Sequence, residues 1–365
     1  MSEYGNSALK LSTTPVLVAI AVSLATGGIA HAQSAVTLYG VVDAGLQYTS
    51  RNANASGSNA GSAIGMTDSG IGPSEFGIKG TEDLGDGMKA NFDLESGISV
   101  ANGGLNNGNG NFFGRQAWVG LSGNFGEVRL GEQFSPFFMS LFDSDPRGFS
   151  EFGSSLTIFG DNVLFTGGVS TNAIIYTSPE LSGLQGSAMI ALGGVAGNFQ
   201  AGRQWAVSLK YDHGPVMLNV AIFDGNSGGT PTPVPSTLEF EGRTLGAAYR
   251  FGALTAKASF TNYKVAGSFN NNVYSAGLDY QVLADVDLNG GVYVTSDRSD
   301  TTNHSLMAAF GANYFLSRTT TLYAQVGIAD NHGAMNTGFS VGDANILYEV
   351  TGTTIGANVG IRHTF

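Results

Sequence analysis

Beyond its first thirty-odd residues this chain has no apolar run near the roughly 18 residues that a membrane-spanning helix requires. Its apolar residues instead recur at every second position, in one short block after another. The last block, "IGANVGIRHTF", puts Ile355, Ala357, Val359, Ile361, His363 and Phe365 on one side. Thr354, Gly356, Asn358, Gly360, Arg362 and Thr364 fall on the other. A period of two is that of an extended strand with two unlike faces. The polar face here is mostly small and carries one charge, so two environments suit it: a wetted surface over a soluble core, or a water-filled lumen behind a lipid-facing wall.

Composition favours the second. Of 365 residues only 12% are charged, about half the share usual in a soluble globular protein. In "VTLYGVVDAGLQYT", Val36, Leu38, Val42, Ala44 and Leu46 oppose Thr37, Tyr39, Asp43 and Gln47. In "MKANFDLESG", Met88, Ala90, Phe92 and Leu94 oppose Lys89, Asn91, Asp93 and Glu95. A row holding two acids is readily hydrated in a lumen, whereas in a dry core each unpaired carboxylate would be costly. The formal net charge of −12 excludes a basic footprint for nucleic acid. Absence of cysteine is compatible with an oxidising compartment.

The first residues read as an export signal. Lys10 precedes the apolar stretch "VLVAIAVSLA" (Val16 to Ala25), and Ala30-His31-Ala32 forms an A-x-A cleavage site. Residues 1–32 are therefore expected to be a signal peptide and 33–365 a single barrel domain; the alternative is an N-terminal core helix.

Sixteen strand-like segments follow, near 36–48, 74–83, 88–98, 112–122, 127–134, 171–180, 185–193, 203–212, 216–224, 242–251, 253–265, 272–281, 286–296, 304–316, 320–330 and 352–365. Short connections such as "LGDG" (Leu84 to Gly87) and "GNFG" (Gly123 to Gly126) alternate with long ones, namely Ser50 to Pro73, Ser99 to Asn111, Ser135 to Ser170, Gly225 to Glu241 and Asn331 to Val350. Short turns at one rim and long loops at the other are the pattern of an outer-membrane barrel. An even count puts both chain ends on the periplasmic side and requires the last strand to pair with the first, because lipid offers no partner for a free sheet edge. The expected fold is an all-β, 16-stranded antiparallel transmembrane barrel, with Phe365 in the aromatic girdle at the inner interface.

Four stretches in order, "SEFGIKGTEDLGDGMKANFDLESG", "FFGRQAWVGLSGNFGEVRLGEQ", "NAIIYTSPELSGLQGSAM" and "GIRHTF", resemble the general diffusion porins of the Gram-negative outer membrane, in particular the β-proteobacterial trimeric type. The resemblance implies a homotrimer in outer-membrane lipid and lipopolysaccharide, passing small hydrophilic solutes and inorganic ions. It also implies that the third long loop, Ser135 to Ser170, folds inward to narrow the pore. In that loop Phe137, Phe138, Phe142, Phe149, Phe152 and Phe159 would pack on the wall, and Asp143, Asp145, Glu151 and Asp161 would face the lumen. A solvated surface loop is the alternative.

This chain departs from the resemblance where porins of this type commonly carry arginines facing the loop acids. Only Arg115 remains basic; Glu75 and Glu132 stand where an arginine is usual, and "GGVST" precedes "NAIIYTSP" without a basic residue. Two carboxylates in place of two guanidinium groups change the local charge by about four units in a narrow, field-focusing site. The expected constriction set is Glu75, Arg115, Glu132, Asp143, Asp145 and Glu151, with a preference for cations and a conductance that responds to acid through paired carboxylates. Alternatively, Glu75 and Glu132 sandwich Arg115 and neutralise one another. Lys79, Asp93, Glu95, Tyr39 and Asp43 are lumen-phase wall residues of second rank.

No catalytic, cofactor or metal site is expected. His213, His304, His332 and His363 have no nucleophile context. "DSDPRG" (Asp143 to Gly148) has proline and arginine where a calcium loop needs ligands and a glycine. "TPTPVPS" (Thr230 to Ser236) suits an exposed polyproline segment. A substrate-specific channel and a plugged structural or adhesin barrel are the competing functions.

Overall fold

The computed structural model describes residues 35–54, 56–226, 239–340 and 349–365; the expected signal peptide and the "TPTPVPS" loop lie outside them. The chain begins β1 (Ala35–Thr49), β2 (Ala63–Thr67), β3 (Glu75–Gly85), β4 (Met88–Gly97), β5 (Gln116–Gly123), β6 (Gly126–Phe134), α1 (Pro136–Ser144) and α2 (Ser155–Val163). It continues β7 (Val169–Thr177), β8 (Leu184–Ala191), β9 (Gln204–His213), β10 (Val216–Gly225), β11 (Phe240–Phe251) and β12 (Leu254–Val265). The last strands are β13 (Asn270–Leu283), β14 (Val286–Asp297), β15 (His304–Phe315), β16 (Thr320–His332) and β17 (Gly352–Thr364).

Every strand from β3 on pairs antiparallel with its successor, and β1 pairs with β17 from Val41↔Thr364 to Thr49↔Gly356. The sheet is therefore closed. β2 and β3 lie end to end along one edge of β1: Gly45 to Thr49 pair with Thr67 to Ala63, and Ala35 to Val41 pair with Thr81 to Glu75. Together they fill one position, which makes a 16-stranded barrel. The segment between them, Asp68 to Ser74, leaves the wall; up to Pro73 it belongs, with β2, to the Ser50 to Pro73 connection expected to be one long loop, and the strand expected from residue 74 starts at Glu75.

Alternation sorts the side chains as expected. Leu38, Leu46, Val119, Leu121, Leu245, Val292, Val326, Ile355, Val359 and Ile361 are exposed on the outer face. Asp43, Gln47, Thr49, Gln325 and Asn358, in the opposite phase, are buried toward the interior. Phe365 closes the seam by exchanging backbone hydrogen bonds with Gly40, at 3.1 and 3.0 Å. Its ring lies where a Cβ on residue 40 would come within 2.5 Å of Cζ, so Gly40 is what lets the terminal ring lie on the backbone. At the short-turn rim, Asp86 and Gly87 both have positive φ (53° and 77°), the geometry of a tight two-residue hairpin.

The chain between β6 and β7 lies inside the barrel. Ser135 caps α1 by accepting from Phe138 N, and a Ser154–Thr157 capping box starts α2. α1 packs against β8 to β12. Phe137, fully buried, has ring contacts with Phe159, Phe223 and Tyr263, and its ring approaches the β11 backbone so closely that a Cβ at Gly242 would lie 2.6 Å from it.

Candidate functional site

What holds the inner loop is a knot at its tip. Arg147 is buried, and its guanidinium donates to Asn289 Oδ1 on β14 (3.1 Å), Gln325 Oε1 on β16 (2.6 Å) and the carbonyls of Phe152 (2.5 Å) and Gly153 (2.8 Å). Asp145, with no exposed surface, accepts from Tyr293 Oη on β14 and from the amides of Arg147, Phe149 and Ser155. Ser150 reaches from the same tip to Gly70 O and Gln325, and Gln325 Nε2 donates to Gly70 O. The Asp68 to Ser74 segment is thus part of the interior: Asp43 accepts from the amides of Ile71 and Gly72 and from Tyr323 Oη, and its backbone is bonded to Ser74.

With the loop seated on one side, the uncovered wall is that of β1 and β3 to β6. Arg115, just ahead of β5, lies between two carboxylates: Nη2 is 2.8 Å from Glu75 Oε2, and Nε donates to Glu95 Oε1 at 2.9 Å. The face of Phe134 covers the guanidinium at 5.5 Å. Tyr39 Oη donates to Asp93 (2.7 Å) and Glu95 (2.9 Å), and Lys79 sits over the Tyr39 ring at 4.7 Å. Arg362 stands opposite Asp43 in the β1–β17 register. From the loop side Glu151 comes close to Arg115, Asp43 and Glu75; burial outweighs the attraction of Arg115 and pushes its carboxyl up to about 8. Met139 and Phe142 of α1 are exposed and form an apolar loop-side lining.

The expected constriction set divides accordingly. Glu75, Arg115 and Glu151 come together. Glu132 does not join them: it pairs with Ala117 while Leu130 pairs with Val119, so it shares the outer face of β5 and β6 with exposed leucine and valine. There it accepts from Asn109 of the preceding loop. Its outward phase was available from the alternation with Val128 and Leu130. The partner of Arg115 is Glu95 in its place. Asp145 is a structural anchor turned into the wall, not a lumen acid. Asp143 is half-buried and paired with Lys210 at 3.0 Å. Asp161 accepts from Gly338 N instead of facing the channel freely. Arg147, Tyr293, Asn289 and Gln325 had no signal in the local sequence.

A closed antiparallel barrel with an apolar outer belt, a polar, charged interior and a loop folded into its bore is a membrane channel of the outer-membrane kind. Residues 17–334 match the family model described as Gram-negative porin, and the chain belongs to that family. It is similar to outer membrane porin protein 32 of Delftia acidovorans, with 32% identity covering 96% of this chain and 99% of that one. It is 30% identical to the major outer membrane protein P.IB of Neisseria meningitidis serogroup B, over 72% of this chain and 86% of the relative. Among solved structures, the anion-selective porin from Comamonas acidovorans superposes with a TM-score of 0.78 at 28% identity, over 91% of this chain and all of that one. The protein is an outer-membrane porin.

Proposed function

We propose that this porin is a passive, cation-preferring channel for small hydrophilic solutes and ions that works as a homotrimer without a cofactor. The observation that carries the preference is the charge of the uncovered wall. There Glu75, Asp93 and Glu95 stand against Arg115 and Lys79; Arg362 is offset by the buried Asp43 opposite it, Arg129 is paired with Glu127, and Glu151 adds a further negative charge when ionised. Rings of one sign at a narrow aperture set the sign of the permeant ion, and low-dielectric walls focus their field. The net charge of −12 has the same sign. The similar Comamonas acidovorans porin is described as anion-selective, so the two readings differ in sign and one measurement separates them. Trimeric assembly is supported by the resemblance to trimeric porins, and the apolar belt is the surface that outer-membrane lipid and lipopolysaccharide would cover.

The test is the reversal potential of the purified protein in a planar bilayer across a tenfold KCl gradient. Potassium-signed potential is expected, moving toward chloride in Glu75→Arg. A chloride-signed potential in the wild type would overturn cation preference while leaving the channel intact; absence of conductance would favour a plugged barrel.

A further inference from the structure

At the long-loop rim, away from the constriction, lies a cavity of about 220 Å³ lined by Asp161, Asn162, Asn271, Asp297, Asn303 and Asn336, among others. Its oxygens come from α2, the starts of β13 and β15, the end of β14 and the loop that follows β16. Two of them are unsatisfied among the described residues. Asn271 is 7% exposed, donates through Nδ2 to Asn162 Oδ1, and leaves its own Oδ1 buried without a partner. Asp161 uses Oδ2 to accept from Gly338 N and leaves Oδ1 buried without a partner.

Beside this cavity Glu349, whose backbone amide donates to Asn336 O, is 2% exposed, and neither carboxylate oxygen has a hydrogen-bond partner among the described residues. Glu349 lies near enough to raise the Asp161 carboxyl as a like charge, and among the described residues no hydrogen bond joins the two. Arg51, a base that attracts Glu349, is turned to the carbonyl of Thr353. Burial raises both carboxyls, Glu349 to about 8.

Buried polar oxygens in native proteins are ordinarily satisfied, and a buried carboxylate is ordinarily paired or bound to a metal. We infer that Asp161, Glu349 and Asn271 form a calcium site that ties α2 of the pore loop to the loop between β16 and β17. The donor set is all oxygen, two carboxylates and an amide carbonyl, and the cavity has room for water to complete a shell. Calcium accepts 6–8 such oxygens at about 2.3–2.6 Å in irregular geometry, whereas magnesium demands a near-octahedral shell and keeps its own waters. No ligand spacing announces the site because its residues lie on elements far apart in sequence. The cation would replace repulsion between two carboxylates by attraction of both, fixing the far end of the loop that narrows the channel.

The test is calorimetric titration of the full-length protein, refolded in detergent free of lipopolysaccharide and treated with chelator, using CaCl2 as the probe. One saturable site per chain is expected, weakened at least tenfold in Asp161→Asn and Asn271→Ala and lost in Asp161→Asn/Glu349→Gln. Asp300→Asn, which removes an acid from the exposed β14–β15 turn, should bind as the wild type does. Heat-modifiable gel migration checks that each variant is folded. If Glu349→Gln does not fold, the two single variants decide the outcome. Absence of saturable binding in the wild type, or equal weakening in Asp300→Asn and Asp161→Asn, would overturn the site. As a second readout, chelator should lower the wild-type melting temperature by several degrees and that of Asp161→Asn by clearly less; equal shifts would also overturn it.

Discussion

Arg115 Nη2 lies 2.8 Å from Glu75 Oε2 while its Nε donates to Glu95 Oε1 at 2.9 Å, so one guanidinium on the open wall is shared by two carboxylates. A planar fork suits two such partners at once, and Phe134 holds its face. Three charges arranged this way leave a net negative site where one strong base would otherwise stand.

Removing one acid should therefore change selectivity less than removing both. In Glu75→Gln, Glu95 still pairs with Arg115 and the reversal potential should move only modestly toward chloride. In Glu75→Gln/Glu95→Gln the guanidinium stands uncompensated, and the cation-to-anion permeability ratio should fall several-fold, on the order of the change that focused fields produce in channel mouths. Equal shifts in the single and double variants would show that Arg115 does not distribute its charge in this way.

Glu132 supplies the converse experiment. On the outer face with Leu130, and bonded to Asn109, it has no path to the permeating ion. Glu132→Gln should leave the reversal potential of a single channel unchanged within error. A change as large as that of Glu75→Gln would mean that the carboxylate reaches the bore.

Arg147 should control the loop without being part of the aperture. Arg147→Met deletes the donors to Asn289, Gln325 and two carbonyls, all buried, and each unsatisfied group costs about 1–3 kcal/mol unless water enters. The variant is expected to melt several degrees lower and to show larger, noisier single-channel currents. Currents indistinguishable from wild type in a folded variant would show that the aromatic packing around Phe137 alone seats the loop.

How far the sequence alone could go differs from element to element. The β17 alternation and the need to close the sheet are local and general, so both faces of the last strand and its pairing with β1 are legible from "IGANVGIRHTF". The 16-fold count survives because β2 and β3 share one position, although nothing in "GIGPS" says that the Asp68 to Ser74 stretch turns inward. The wall partners of Asp145 and Arg147 lie more than a hundred residues away on β14 and β16, and a loop acid that will be buried looks in sequence like one that will be wet. Glu132 is a different case: alternation with Val128 and Leu130 points it outward while family position points it into the bore, and the structure follows the alternation.

Glu151 should give the channel a response to pH in the mildly alkaline range. Burial pushes its carboxyl up to about 8, against an ordinary value of 4.5, so the folded protein holds this proton where the unfolded chain has released it. Stability from this group is full below about pH 4.5 and is lost as pH rises toward 8, because there the unfolded state binds fewer protons than the folded one. The charge follows the same titration: near pH 6 the group is neutral, and above pH 8 it adds a negative charge beside Arg115. Cation preference should increase from pH 6 to pH 9 in the wild type and stay flat in Glu151→Gln, which also loses less thermal stability over that interval. Parallel pH profiles for the two proteins, in both the reversal potential and the melting temperature, would remove Glu151 from the titration.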